Sequence, residues 1–170
     1  MKILVLNGSP RPNGDTARMC YVFIKEAKAK GHDAEIINVC QKNIKGCMAC
    51  EYCHKAGNGS CIQKDDMEEI YAQLKDCEML VLASPIYYHN ISGQLKCVID
   101  RFYAALYPKA PETLKKVAMF LSSGDADMYE GAKVSFDGDF LGYLKLENLG
   151  LYTNHDKNVL DKIRRMARSL

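Results

Sequence analysis

Three short runs carry no polar residue on either face: Ile3-Leu4-Val5-Leu6, Met79-Leu80-Val81-Leu82-Ala83 and Val117-Ala118-Met119-Phe120-Leu121. Successive side chains of a strand point to opposite faces, so a run that is apolar at every position must be covered on both sides. Parallel sheets held between helices meet that condition. Ala34 to Val39 and Leu149 to Thr153 mix polar with apolar residues and suit the edges of such a sheet. Helical spacing fills the intervals. Cys20, Phe23, Ile24 and Ala27 fall at i, i+3, i+4 and i+7, as do Met67, Ile70, Tyr71 and Leu74. Leu95, Val98, Ile99, Phe102 and Leu106 form another stripe, and Val159, Leu160, Ile163, Met166 and Leu170 a last one. A further helix is expected between Met128 and Leu146, with Gly138 and Gly142 blurring its limits. Strand and helix thus alternate, which predicts an α/β fold: an open three-layer α/β/α sandwich with right-handed crossovers. A chain of 170 residues with no linker or repeat reads as one domain over residues 1–170.

The charge balance narrows the partners. Lys+Arg is 23 and Asp+Glu is 21, a net +2 with the charges interspersed, so no field recruits nucleic acid or an anionic membrane. The first apolar run is too short for a secretory core, and no stretch approaches the roughly 18 apolar residues of a membrane span. The expectation is a cytoplasmic protein whose 8 cysteines are reduced. In that setting a cysteine cluster points to metal or redox chemistry.

After the first apolar run comes Asn7-Gly8-Ser9-Pro10-Arg11-Pro12-Asn13-Gly14-Asp15-Thr16, then a helix. A glycine- and hydroxyl-rich turn at a helix N-terminus favours an anion, through free N–H groups and the helix dipole. The donors on offer are the amides of Ser9, Arg11, Asn13, Gly14, Asp15 and Thr16 and the hydroxyls of Ser9 and Thr16, with Arg11 as balancing charge. The pattern is neither G-x-G-x-x-G nor the nucleotide-triphosphate P-loop. A plain βα turn capped by Asp15 is the alternative.

The longest irregular stretch, 42–64, is too long for a simple connection. It holds Cys47, Cys50, Cys53 and Cys61 in the spacing C-x2-C-x2-C-x7-C, the last reached through a flexible Gly57-Asn58-Gly59. Two consecutive C-x2-C steps bring three thiolates to one side of a tight turn, as in ferredoxin-type clusters. Zinc held by the four thiolates, or by three with His54, free thiols and a disulfide all stay open. Cys20, Cys40, Cys77 and Cys97 read as small apolar core residues.

Gly8-Ser9-Pro10-Arg11 with Gly14 and Thr16, then Ser84-Pro85-Ile86-Tyr87-Tyr88 and Ser122-Ser123-Gly124, resemble the flavodoxin-like NADPH-dependent FMN reductases. The stretch from Gly46-Cys47 through Cys61 to Asp65-Asp66-Met67 resembles the iron–sulfur flavoprotein branch of that family. Where this chain has Asp15, the family often has Asn. The resemblance implies a five-stranded parallel sheet of order 2-1-3-4-5 and an FMN site beyond the carboxyl ends of strands one, three and four. It assigns FMN contact to Ser9, Arg11, Asn13, Gly14, Asp15 and Thr16, to Pro85, Ile86, Tyr87, Tyr88 and Asn90, and to Ser122, Ser123 and Gly124. Ser92 is expected to cap the helix that starts at Gly93. It also implies a candidate [4Fe–4S] cluster on Cys47, Cys50, Cys53 and Cys61, no catalytic side chain beyond those that hold the flavin, and a homodimer or homotetramer. The function implied is an FMN-dependent oxidoreductase that takes a hydride from NAD(P)H. Its electrons would go to a small-molecule or protein acceptor: a flavin, a quinone or an iron–sulfur centre. An FMN-binding electron carrier without NAD(P)H activity is the alternative, and a zinc-holding module without flavin is a third reading.

Overall fold

A computed structural model describes residues 1–170. The five expected strands form: β1 (Lys2–Asn7), β2 (Asp33–Asn38), β3 (Met79–Tyr87), β5 (Lys116–Ser122) and β6 (Glu147–Thr153). They pair in parallel in the order β2-β1-β3-β5-β6. A two-residue strand, β4 (Asn90–Ile91), turns back antiparallel on the end of β3 and lies off this path. With β4 set aside, the order is the expected 2-1-3-4-5.

The fully apolar runs split by parity between two cores. Leu4, Leu6, Leu80, Leu82, Val117, Met119 and Leu121 face one side. There α2 (Met67–Leu74), α3 (Gly93–Arg101), α4 (Tyr103–Leu106) and α5 (Glu130–Ser135) cover them. Ile3, Val5, Met79, Val81, Ala83, Ala118 and Phe120 face the other, under α1 (Asp15–Ala29) and α6 (Val159–Arg168). The mixed-polarity strands β2 and β6 take the edges, where one side needs no cover. At the β6 edge the register shifts between Val117 and Met119, and Gly150 opposite adopts φ +118°. A Cβ there would stand 2.7 Å from the Tyr152 ring.

Two helices differ in detail from their stripes. The run from Leu95 to Leu106 breaks at Phe102 into α3 and α4. The helix expected between 128 and 146 is α5 followed by a π-helical turn, Phe136–Tyr143. That wider turn sets the rings of Phe136 and Phe140 6.0 Å apart on the core side, while Gly138 and Gly142 stay outside. Cys20 and Cys77 are core residues as expected, whereas Cys40 and Cys97 are only half-buried. No helix is long and apolar enough to cross a membrane.

Candidate functional site

Because β1, β3 and β5 lie side by side and run the same way, their carboxyl ends open onto one place. A cavity of about 530 Å³ lies there. The loop after β1 contributes Ser9, Arg11, Asn13, Gly14 and Asp15. The end of β3 contributes Pro85, Ile86 and Tyr87, and the end of β5 Ser122, Ser123 and Gly124.

The first loop is held rigid by its own polar groups. Asn7, buried at the end of β1, accepts the Ser9 N–H on Oδ1 (3.1 Å) and donates to Asn38 at the end of β2 (2.9 Å). Ser9 Oγ accepts the Arg11 N–H at 3.2 Å, and the Gly14 N–H donates to the Arg11 carbonyl. Three of the six expected amide donors, those of Ser9, Arg11 and Gly14, are therefore engaged inside the loop, because a turn this tight must satisfy its own backbone. Asn13, Asp15 and Thr16 keep theirs at the start of α1. Gly14 takes the N-cap position without a side-chain bond, so Asp15 is the first helical residue and not the cap. Its carboxylate, half-exposed, lies 3.5 Å from the Arg18 guanidinium. Arg11 is exposed at the cavity and makes no ion pair.

Thr16 is buried, and its hydroxyl shares a 2.7 Å hydrogen bond with Ser122 Oγ, tying the α1 N-terminus to the end of β5. It stands behind the cavity wall and does not line it. Tyr88 and Asn90 also stay outside. Tyr88 and His89 form a reverse turn in the left-handed region (φ +48° and +64°) that leaves Tyr88 fully exposed, and Asn90 Oδ1 accepts the Ile91 N–H. That turn follows from β3 continuing to Tyr87 and folding back as β4.

Residues to which no FMN contact was assigned also shape the cavity. Gly8 donates its N–H to the Ala83 carbonyl at 2.7 Å and accepts from Ser92 Oγ at 2.8 Å and from Cys40 Sγ. A Cβ on Gly8 would stand 2.7 Å from Ser92 Oγ. Ser92 caps α3 as expected, accepting the Leu95 N–H. Asn154, just past β6, grips Ser123 from both sides: its Oδ1 accepts the Ser123 N–H (2.9 Å) and its Nδ2 donates to the Ser123 carbonyl (3.0 Å). Tyr129 donates to the same Oδ1 at 2.7 Å, and His155 Nε2–H to the same carbonyl at 3.1 Å. Asn7, a polar residue closing a fully apolar strand, Gly8 in the first-loop motif and Ser92 as a helix cap each left a signal in the sequence. The reach of Asn154 spans 31 positions and left none.

The cysteine loop runs from the 3-10 turn Val39–Gln41 to α2 and contains one further 3-10 turn, Tyr52–His54. Cys47, Cys50, Cys53 and Cys61 line one small cavity of about 20 Å³, together with Tyr71, Arg101 and Tyr103. All four are free thiols, so no disulfide closes the loop. Ala49 and Glu51 take left-handed φ of +52° and +56°, each folding the chain back between consecutive cysteines, and the Ala49 N–H donates to Cys47 Sγ at 3.4 Å. No three of these thiols are close enough together to hold a metal ion as they stand. Gly57 to Gly59, expected to be flexible, folds back instead: the N–H groups of Gly57 and Gly59 donate to the Tyr52 and Cys53 carbonyls. His54 does not line the cavity: its Nε2–H donates to the Tyr103 carbonyl at 2.7 Å, and its ring stands edge-on to the stacked rings of Tyr103 and Tyr107. Burial raises the Cys53 thiol above its ordinary pKa, reinforced by the three neighbouring cysteines.

The profile of the NADPH-dependent FMN reductase family matches residues 1–136. An iron-sulfur flavoprotein of Methanocaldococcus jannaschii is 38% identical over 125 residues, which is 73% of this chain and 62% of the relative. A Bacillus subtilis protein named for NAD(P)H-dependent, FMN-containing oxidoreductase activity is 31% identical over 137 residues, 77% of this chain and 71% of its own length. The chain spans between 45% and 62% of the length of the iron-sulfur flavoproteins it matches. Among solved structures, an NAD(P)H:quinone oxidoreductase from Methanothermobacter marburgensis superposes with a TM-score of 0.68 at 16% identity, over 98% of this chain and 92% of that one. An FMN-dependent NADH-azoreductase from Bacillus anthracis, in complex with FMN, gives 0.70 at 18% identity, over 98% and 95%. At those identities the likeness is one of fold, and the fold is flavodoxin-like. With residues 1–136 of its 170 matched by the family profile, the chain belongs to the NADPH-dependent FMN reductase family.

Proposed function

We propose that the chain is an FMN-dependent oxidoreductase that accepts reducing equivalents from NAD(P)H and delivers them to an acceptor: a flavin, a quinone or an iron–sulfur centre. The observation that carries this reading is the convergence of three loops on one 530 Å³ cavity with a helix N-terminus and an unpaired arginine at one end. The residues fit FMN. The free amides of Asn13, Asp15 and Thr16 and the Arg11 guanidinium suit a phosphate dianion. The Asp15 carboxylate, drawn toward Arg18, leaves that position tolerable for an anion. Pro85, Ile86 and Tyr87 offer an apolar wall, and Ser122, Ser123 and Gly124 a close-approaching backbone for a flat ring. Bound FMN supplies hydride acceptance and single-electron transfer, while the protein binds, orients and shields.

Cys47, Cys50, Cys53 and Cys61 are the residues that would hold an iron–sulfur cluster. Four free thiols around one cavity, with a backbone N–H already on one sulfur, are the donor chemistry such a group needs. A cluster there supplies one-electron steps. The matched relatives named as iron-sulfur flavoproteins support this reading.

The test is a visible spectrum of protein purified without oxygen, with flavin, iron and acid-labile sulfide assayed together and NAD(P)H added last. Flavin bands over a broad absorption, bleached by NAD(P)H, support the full reading. Flavin without iron removes the cluster. Protein that is colourless and refuses added FMN overturns the proposal.

A further inference from the structure

Arg101 is the largest fully buried side chain of the protein, and the flavin cavity does not use it. It closes α3 and reaches under the cysteine loop. All five of its N–H donors are committed. Nη1 donates to the Lys45 carbonyl (3.0 Å) and to Asp65 Oδ2 (2.9 Å). Nη2 donates to Asp65 Oδ1 (3.2 Å) and the Gln63 carbonyl (3.4 Å), and Nε to the Tyr71 hydroxyl (3.3 Å). Lys45 lies two residues before Cys47, and Gln63 two residues after Cys61. One guanidinium therefore holds both ends of the segment that carries the four thiols.

Other bonds zip the same neck. Asn43 N–H donates to Asp66 Oδ2 and Lys45 N–H to Asp65 Oδ2, while Gln63 Nε2 donates to the Gly46 carbonyl. Arg101 adds four further bonds between the two arms from outside the loop and, with Gln63, lines the cysteine cavity. A buried ion pair is a poor way to gain stability, because desolvation of the two charges offsets their attraction, and apolar residues of similar volume often serve as well. What a planar five-donor fork supplies, and an apolar residue cannot, is a fixed separation between two backbone carbonyls.

We propose that Arg101 is the positioning residue of the cysteine loop: by clamping Lys45 to Gln63 it sets Cys61 opposite Cys47, Cys50 and Cys53, and metal loading depends on that clamp. The inference rests on the reading of these four cysteines as one ligand set. The clamp works through the neck: none of its hydrogen bonds goes to a cysteine. The flavin site stands at the other end of α3, where Ser92 meets Gly8, about 13 Å away by helix rise, so FMN binding reports on the fold independently.

The experiment compares the full chain with Arg101→Lys, which keeps the charge but not the fork, and with Arg101→Met paired with Asp65→Asn, which leaves no buried charge unbalanced. Two readouts are taken on reduced protein. Dibromobimane, which bridges thiols a few ångströms apart, is followed by mass spectrometry for links between Cys61 and the Cys47–Cys53 arm. Iron and sulfide per chain are measured after anaerobic reconstitution with ferrous iron and sulfide. The expected result is a several-fold loss of both the Cys61 link and bound iron in each variant, at unchanged FMN affinity. Links and iron equal to wild type overturn the proposal and leave the ligand reading standing. Wild-type protein that links Cys61 well but takes up no iron overturns the ligand reading, and with it the dependence of metal loading on Arg101. Should the double variant lose FMN as well, Arg101→Lys decides the outcome, since it retains the ion pair.

Discussion

At the scale of single residues, the site depends on who is free and who is already engaged. Arg11 is exposed at the cavity and unpaired, so its charge is available to a phosphate and screened by solvent. Arg11→Ala is expected to weaken FMN binding about tenfold, near 1.4 kcal/mol, measured by fluorescence titration of the apoprotein. An unchanged affinity would move the phosphate elsewhere. Gly8 acts differently, through space that a side chain cannot enter. With a Cβ 2.7 Å from Ser92 Oγ and 2.8 Å from Leu95 Cβ, Gly8→Ala must push α3 from the end of β1. A loss of about 2 kcal/mol in urea denaturation is expected, the usual size for overpacking. Thr16 shows the limit of reading donors from a sequence. Its hydroxyl type and place at a helix start are legible, but its bond to Ser122 is set by where β5 ends.

Among the elements, the strands were the most legible, because burial on both faces leaves no polar position to confuse the period. The edge strands were also readable, for the converse reason. The π-helical turn after α5 was not: Gly138 and Gly142 announced an irregularity, and only the packing of Phe136 and Phe140 against α3 and α4 selected its form. The loop after β5 is likewise positioned from another element, since Asn154 satisfies both the N–H and the C=O of Ser123. Asn154→Ala leaves the Ser123 N–H and the Tyr129 hydroxyl without their shared acceptor and the Ser123 carbonyl with His155 alone, and is expected to destabilise the protein by about 1–3 kcal/mol. FMN affinity should fall several-fold as Ser122 to Gly124 loosen. Asn154→Asp, which still accepts from the Ser123 N–H and Tyr129 but cannot donate, should fall between the two in a thermal melt. Equal affinity in all three proteins would show that the loop holds itself.

Across the whole molecule, the sheet supplies one frame for two sites, and α3 joins them: Ser92 at its start holds Gly8 of the anion loop, and Arg101 at its end holds the cysteine loop. Acid should separate the two. Burial works against the Asp65 carboxylate, but hydrogen bonds from Arg101 and from the N–H groups of Lys45 and Met67 outweigh it and hold its pKa below the ordinary 3.8. A group depressed in the folded state contributes fully above its unfolded value and loses that contribution as pH falls through the folded one. Hydrogen exchange at Lys45 and Met67 should therefore quicken below about pH 3.8 in wild type and show no such step in Asp65→Asn. A pH-independent rate in wild type would remove Asp65 from the neck. The sequence by itself determined the layers, the strand order through a family resemblance, and the three loops that meet at the cavity, because hydrophobic period and turn chemistry are local properties of the chain. Only the tertiary structure decided which donors remain free in the anion loop, that Tyr88 and Asn90 fall in a reverse turn outside the cavity lining, and that Arg101 and Asn154 govern loops far from them in sequence. Those outcomes depend on which long-range partner satisfies each buried polar group, and no local pattern encodes that choice.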